Sequence, residues 1–227
     1  MNILKLILSI ITFWFITACK NKVTSVQLEK TKVQNSLYPF VLDYTYVGYR
    51  NSVSGEKDSL VISTPISFNL INRTKNDFQY KRIEQLSNPY FSYLLLNGKK
   101  YRGGDLKENI IMYSSITDKI IFYFETPISK KELEKDPKIK FLLNDEKQGD
   151  SILLKNLSSE VQRNINKSLS NVIFYINIKD VDDNKNIGIR YCFNKNKAII
   201  YDVDSLVKAN PRYMFSCDKD FYKKESN

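Results

Sequence analysis

The sequence predicts a mainly β protein, an antiparallel β-sandwich followed by a smaller α+β segment. Three observations predict it. Apolar and polar residues alternate with period two in several short runs, clearest in residues 66–71 (ISFNLI). An Asn97-Gly98 pair separates two such runs, and both of its residues accept the positive φ that a tight hairpin needs. Aromatic and β-branched residues, which fit a pleated surface, crowd the same runs.

Taken in order, strands are expected within residues 41–49, over 66–71 with Ile66, Phe68 and Leu70 on one face, and over 78–83 after the polar turn NRTKND. Further strands are expected at 91–96, 109–113 and 119–126, the last strongly aromatic. Ser129-Lys130-Lys131-Glu132 then reads as a capping box, with the serine capping a helix and the glutamate reaching back. That helix must be short, because Pro137 stops it. Residues 138–143 are expected as the last strand of a sandwich spanning 38–145.

The polar stretch 144–150 (NDEKQGD) is the expected boundary, and 146–227 is the α+β segment. It holds a short strand at 152–154 and a helix capped by Ser158 or Ser159, with Val161, Ile165 and Leu169 on one stripe. Strands follow at 172–179, 187–193 and 197–203. Val172, Phe174, Ile176 and Ile178 face one way in the first of these. The segment reads either as a small second domain or as an elaboration of the same sheet.

The leader supplies an address. Lys5 precedes an apolar run from Leu6 to about Thr17, which ends at Ile16-Thr17-Ala18-Cys19. The run is too short for a transmembrane helix, which needs roughly 20 apolar residues. Ile16 to Cys19 resembles the lipobox of bacterial lipoproteins, in which a small residue precedes a cysteine that is diacylated before cleavage. The resemblance implies a signal peptide over 1–18 and thioether-linked acyl chains, palmitate among them, on Cys19. More than one chain gives stable attachment, whereas a single one is marginal. It also implies a lipid-anchored location at a bacterial membrane, periplasmic or outer-membrane facing. Residues 19–37 are then the lipidated cysteine and a polar tether. The order ISFNLINRTKNDF, Asn-Gly hairpin and IIFYFE looks like immunoglobulin-type β-sandwich modules of bacterial lipoproteins, which implies an immunoglobulin-like body.

Composition narrows the function classes. The chain has 227 residues, 35 Lys+Arg, 25 Asp+Glu and no histidine. Without histidine, a Ser-His-Asp or Cys-His site and a histidine-based zinc site are excluded. The formal charge of +10 comes from lysines scattered among Asn, Ile and Tyr, so no nucleic-acid footprint is read from it. There are three cysteines. With Cys19 carrying lipid, Cys192 and Cys217 remain in a compartment that permits disulfides, either bonded to each other or as two buried thiols.

Each candidate site has a plainer alternative. The 15 tyrosines and 13 phenylalanines fill a core and pair across strands, or form an aromatic ligand platform edged by lysines. Tyr44, Tyr46 and Tyr49 are the first candidates for such a platform. Asp180, Asp182, Asn184 and Asn186 have the alternate spacing of a calcium loop. Lys185 and Tyr191 stand where that loop needs glycine and glutamate, so a polar hairpin turn is expected and no metal. Asp58-Ser59-Leu60, Asp150-Ser151-Ile152 and Asp204-Ser205-Leu206 resemble an O-glycosylation acceptor pattern, but read first as turn and cap serines. Gly103-Gly104 lacks the residues of a phosphate loop.

The expected function is that of a non-catalytic binding or protective module without cofactor. It is anchored to lipid through Cys19 and meets an envelope protein or glycan. The alternatives are a hydrolase using paired carboxylates on envelope polysaccharide, and a structural subunit of an envelope complex.

Overall fold

A computed structural model describes residues 25–43, 59–85, 91–101, 104–106, 109–135, 137, 139–140, 151–205 and 217. They form two antiparallel sheets. In chain order the strands are β1 (Val26–Thr31), β2 (Phe40–Asp43), β3 (Ser59–Asn72), β4 (Phe78–Gln85), β5 (Phe91–Leu96), β6 (Lys99–Tyr101), β7 (Gly104–Asp105), β8 (Ile111–Met112) and β9 (Thr117–Ser129). Helix α1 (Lys130–Leu133), β10 (Ser151–Leu154), helix α2 (Ser159–Leu169), β11 (Ile173–Asp180), β12 (Asn186–Cys192) and β13 (Lys197–Asp202) follow. The first sheet runs β10-β2-β3-β9-β5-β6, with β1 also on β3. The second runs β13-β12-β11-β4-β7, with β8 also on β4.

The period-two pattern builds the space between the sheets. On β3, Ile62, Ile66, Phe68 and Leu70 point inward. On β9, Ile120 and Phe122, opposite Phe68 and Ile66, and Phe124, opposite Thr64, do the same. From the second sheet come Phe78, Tyr80, Phe174, Ile176, Ile178, Ile189 and Tyr191. Phe174 sits between the sheets, stacked 4.5 Å from Phe122 and 4.8 Å from Phe68. Tyr191 meets Phe68 edge-on at 4.9 Å. Such ring pairs contribute about 0.5–1.5 kcal/mol each beyond area burial.

The β3–β9 pair is also buried on its outer face, at Val61, Ser63, Ser67, Ile121, Tyr123 and Glu125. This accounts for the unbroken run IIFYF at residues 120–124, since a strand covered on both faces has no polar side to show. Pro65 is tolerated inside β3 because the neighbour on that edge changes there: β2 pairs with residues 61–63 and β1 with residues 67–72.

Asn97 (φ 50°) and Gly98 (φ 84°) make the tight turn between β5 and β6. Ser129 caps α1 by accepting from the Glu132 amide at 3.3 Å. Ser158 caps α2 by accepting from Val161 at 3.4 Å. The α2 stripe Val161, Ile165 and Leu169 is buried.

Three expectations are corrected. The tether does not extend to residue 37: residues 26–31 form β1 on β3, because Val26 and Leu28 alternate with Gln27 and Glu29 and bury in the core. The strand expected over 138–143 is helical at residues 139–140, where Ile139 buries; residues 141–143 lie outside the described residues. The carboxylate of Glu132 accepts from Asn164 of α2 at 3.3 Å, so the predicted cap glutamate ties two helices together. Strands from either side of the 144–150 break pair with one another, β10 on β2 and β11 on β4.

Candidate functional site

Cys19 and the platform candidates Tyr44, Tyr46 and Tyr49 lie outside the described residues. So do Asp58, Asp150, Gly103 and Leu206. Cys192 and Cys217 are joined by a disulfide, with Cα atoms 6.0 Å apart. Cys192 ends β12 and is fully buried, so the bond fastens a residue 25 positions later to the second sheet.

The Asp180–Asn186 segment is a hairpin turn. Asp180 is the last residue of β11, and its amide donates to the Lys185 carbonyl at 2.8 Å. Its Oδ1 accepts from the amides of Asp182 (2.9 Å) and Asp183 (3.0 Å), and its Oδ2 from the Asn76 side chain at 2.8 Å. Burial opposes the negative charge. The Asp183 amide, Asn76, the Asp182 amide and Lys185 outweigh it and hold the carboxyl below its usual value of 3.8. Both oxygens that a calcium loop would direct at an ion are thus directed at the protein. Asp202 does the same for the helical residues 203–205, accepting from Asp204 (3.0 Å) and Ser205 (3.1 Å). Asp204 in turn accepts from Asn186, and Ser205 is the second residue at this cap.

Two groups of aromatic and charged residues stand out on the outer faces. On the first sheet, Tyr93 of β5 stacks on Tyr123 of β9, with centroids 4.6 Å apart. Lys100 of β6 lies 4.0 Å over the Tyr93 ring, and Lys119 lies 5.2 Å over Tyr38. Burial raises the hydroxyl pKa of both Tyr93 and Tyr123; their mutual hydrogen bond raises Tyr123 further. Tyr93 and Lys100 thus form a tyrosine–lysine pair on the outer face, over the buried Tyr123. Short-range pattern could not find it, because β5, β6 and β9 become neighbours only through sheet pairing.

On the second sheet, Tyr201 of β13 lies across Gly188 of β12, so close that a Cβ there would sit 2.4 Å from its ring. Its hydroxyl accepts from Nε of Arg190 at 2.9 Å, and the guanidinium packs 4.3 Å from the ring centroid. Arg190 has no exposed surface. A charge this deep needs such partners, since desolvating an ion is costly.

A third group organises one end of the sandwich around Asn72, the last residue of β3. Its side-chain amide donates to the carbonyls of Asn76 (2.9 Å) and Tyr113 (3.0 Å). Its Oδ1 accepts from the Thr74 amide (2.9 Å) and hydroxyl (2.7 Å). Its backbone amide donates to Ile116 at 2.9 Å. The Asp77 carboxylate accepts from Ser114 at 2.6 Å, and its carbonyl from Val181 at 3.0 Å. The loops 73–77, 113–116 and 181–185 are therefore one hydrogen-bonded unit. The chain enters beside it, with Val26 opposite Asn72 and Ser25 accepting from Arg73 at 3.3 Å.

Among the described residues no helix is long and apolar enough to cross a membrane. No family model, no curated protein and no solved structure matches this chain.

Proposed function

We propose that the protein is a bacterial envelope lipoprotein, held to a membrane by acyl chains on Cys19, whose immunoglobulin-type sandwich is a non-catalytic binding or protective module. One observation carries the reading: an apolar leader ends in Ile16-Thr17-Ala18-Cys19, and a folded strand begins only seven residues after that cysteine, at Val26. Such a short link places the body against the membrane surface.

The chemistry of the body supports binding rather than reaction. Histidine is absent from the chain. The buried carboxylates of Asp118 and Asp180 are committed to structural donors. The surface we assign to a ligand is Tyr93 with Lys100: Tyr93, backed by the buried Tyr123, offers its ring edge, and Lys100 a cation, to a glycan or an extended peptide.

The test is fractionation of the full chain after metabolic labelling with a fatty acid. The native chain is expected in the membrane fraction carrying label, and Cys19→Ser in the soluble fraction without it. Label retained by the serine variant would refute the assignment. Binding is tested by capture from envelope extract, comparing the native chain with Tyr93→Ala and Lys100→Ala. Equal capture by all three would remove this surface from the proposal.

A further inference from the structure

We infer that the Asn72-centred end of the sandwich is a membrane-contact tip that dips Tyr113, Ile116 and Val181 into the headgroup interface of the bilayer holding the anchor. The inference rests on the lipoprotein reading and adds an orientation to it.

Three observations converge. Of the exposed large apolar side chains among the described residues, Leu37, Leu153 and Ile200 stand elsewhere, while Tyr113 (62% exposed), Val181 (51%) and Ile116 (46%) are at this end. Singly, such residues are ordinary on a surface. These three sit on loops that Asn72 and Asp77 bind into one unit.

The chain also enters at this end. Ser25 is hydrogen-bonded to Arg73, and Cys19 is six residues earlier. Six extended residues span at most about 20 Å. The anchor therefore cannot reach the far end of the body, because β3 alone, 14 residues long, measures about 45 Å at the rise of a strand.

The exposed charges on these loops are of both signs. Arg73 and Lys75 stand on one, Asp182 and Asp183 on another, while Lys185 pairs with Asp202 at 3.2 Å. The β5–β6 turn lies at this end too, since Asn97 accepts from the Lys119 amide and Leu96 pairs with Ile120, so exposed Lys99, Lys100 and Lys119 add positive charge beside the loops, and attraction to headgroup phosphates joins apolar insertion. Tyrosine suits that depth, with an apolar ring and a hydroxyl that stays hydrated. Its partners Ile116 and Val181 add apolar area without charge. The acyl anchor supplies most of the affinity, and the tip sets which way the body faces. The Tyr93–Tyr123 surface lies on a sheet face rather than on this end, so contact at the tip would leave it turned sideways to the membrane.

The test uses the full lipidated chain in phosphatidylcholine vesicles that carry a spin-labelled lipid quencher. An environment-sensitive fluorophore is attached through Tyr113→Cys or, as control, through Leu153→Cys. Leu153 is 65% exposed and pairs with Val41, whose own partner on β3 is Ser63, nine residues from Asn72 and so about 30 Å away. The probe at 113 is expected to be quenched several-fold more than the probe at 153, and to lose that excess when Ile116 and Val181 are both changed to Ser. Acyl label on Cys19 with equal quenching at the two positions overturns the tip and leaves the lipoprotein reading standing. Absence of acyl label overturns both.

Discussion

The hydroxyl of Tyr80 in one sheet donates to Oδ2 of Asp118 in the other at 2.7 Å, inside the sandwich. Asn97, the first residue of the β5–β6 turn, donates to Oδ1 of the same carboxylate at 2.7 Å and accepts from the Lys119 amide at 2.8 Å. One buried carboxylate thus ties a hairpin turn to a strand of the opposite sheet. Burial and the neighbouring charge of Asp118 push the Tyr80 hydroxyl well above its ordinary value of 10, so it stays a donor. Tyr80→Phe removes that donor and leaves the ring. The expected loss is about 1.5–3 kcal/mol, the range for a hydrogen bond to a charged group, read by urea denaturation. A loss under about 0.5 kcal/mol would mean that water replaces the hydroxyl.

Thr126 presents the opposite case. It faces the core of the first sheet, 2% exposed, and its hydroxyl has no hydrogen-bond partner among the described residues. Thr64, on the same face, is alike. Thr126→Val keeps the shape and removes an unpaired polar atom. Stability is expected to rise by about 1 kcal/mol, seen as a higher urea midpoint at unchanged slope.

Gly188 and Tyr201 are coupled by space. Gly188→Ala places a methyl against a ring whose hydroxyl is held by Arg190, so the ring cannot swing away without losing that bond. The expected cost is about 1–3 kcal/mol. In a Tyr201→Leu background the same change is expected to cost much less. The double-mutant cycle should therefore give a coupling of at least 0.5 kcal/mol, and strict additivity would contradict the contact.

The Cys192–Cys217 bond closes a loop of sequence separation 25. Replacing both cysteines with serine should lower stability by about 3–4 kcal/mol on the chain-entropy account. Differential scanning calorimetry of the oxidised, reduced and double-serine proteins would check it. The reduced and serine forms are expected to melt together, below the oxidised form.

Acid sensitivity follows from two aspartates. The carboxyl of Asp180 is held below 3.8 by its turn donors against the cost of burial. That of Asp202 is held down by the Ser205 amide first, against some burial, with Lys185 and the Asp204 amide assisting. A carboxyl depressed in the fold contributes its stability above the unfolded value and loses it as pH falls through the folded value. Stability should therefore be level above about pH 5 and decline below pH 4. Asp180→Asn should flatten that decline while costing some stability at neutral pH. An unchanged acid limb in Asp180→Asn would mean that this carboxylate is not linked to folding.

Much of the fold was legible because its signals are local. Period two in ISFNLI assigned Ile66, Phe68 and Leu70 to one face, and they are buried together. Asn97-Gly98 marked its hairpin through the φ values those residues tolerate. Ser129 and Ser158 marked helix starts. Errors arose where the local signal was equivocal. Residues 26–31 look polar enough for a tether, since only Val26 and Leu28 reach the core. Residue 139 is apolar in a run too short to separate strand from helix.

The chain's own order of residues sufficed for the strand class, the turns, the caps and the lack of histidine chemistry, because each depends on near neighbours or on composition alone. Which strands meet was settled in three dimensions. That Tyr93 stacks on Tyr123, that Tyr201 covers Gly188, and that Asn72 and Asp77 gather the loops of Tyr113, Ile116 and Val181 beside the chain entry all depend on pairings across long stretches of sequence. The physical reason is that hydrogen bonding between strands is indifferent to side-chain identity. The choice of partner is made by burying every inward face at once, a condition no single segment expresses.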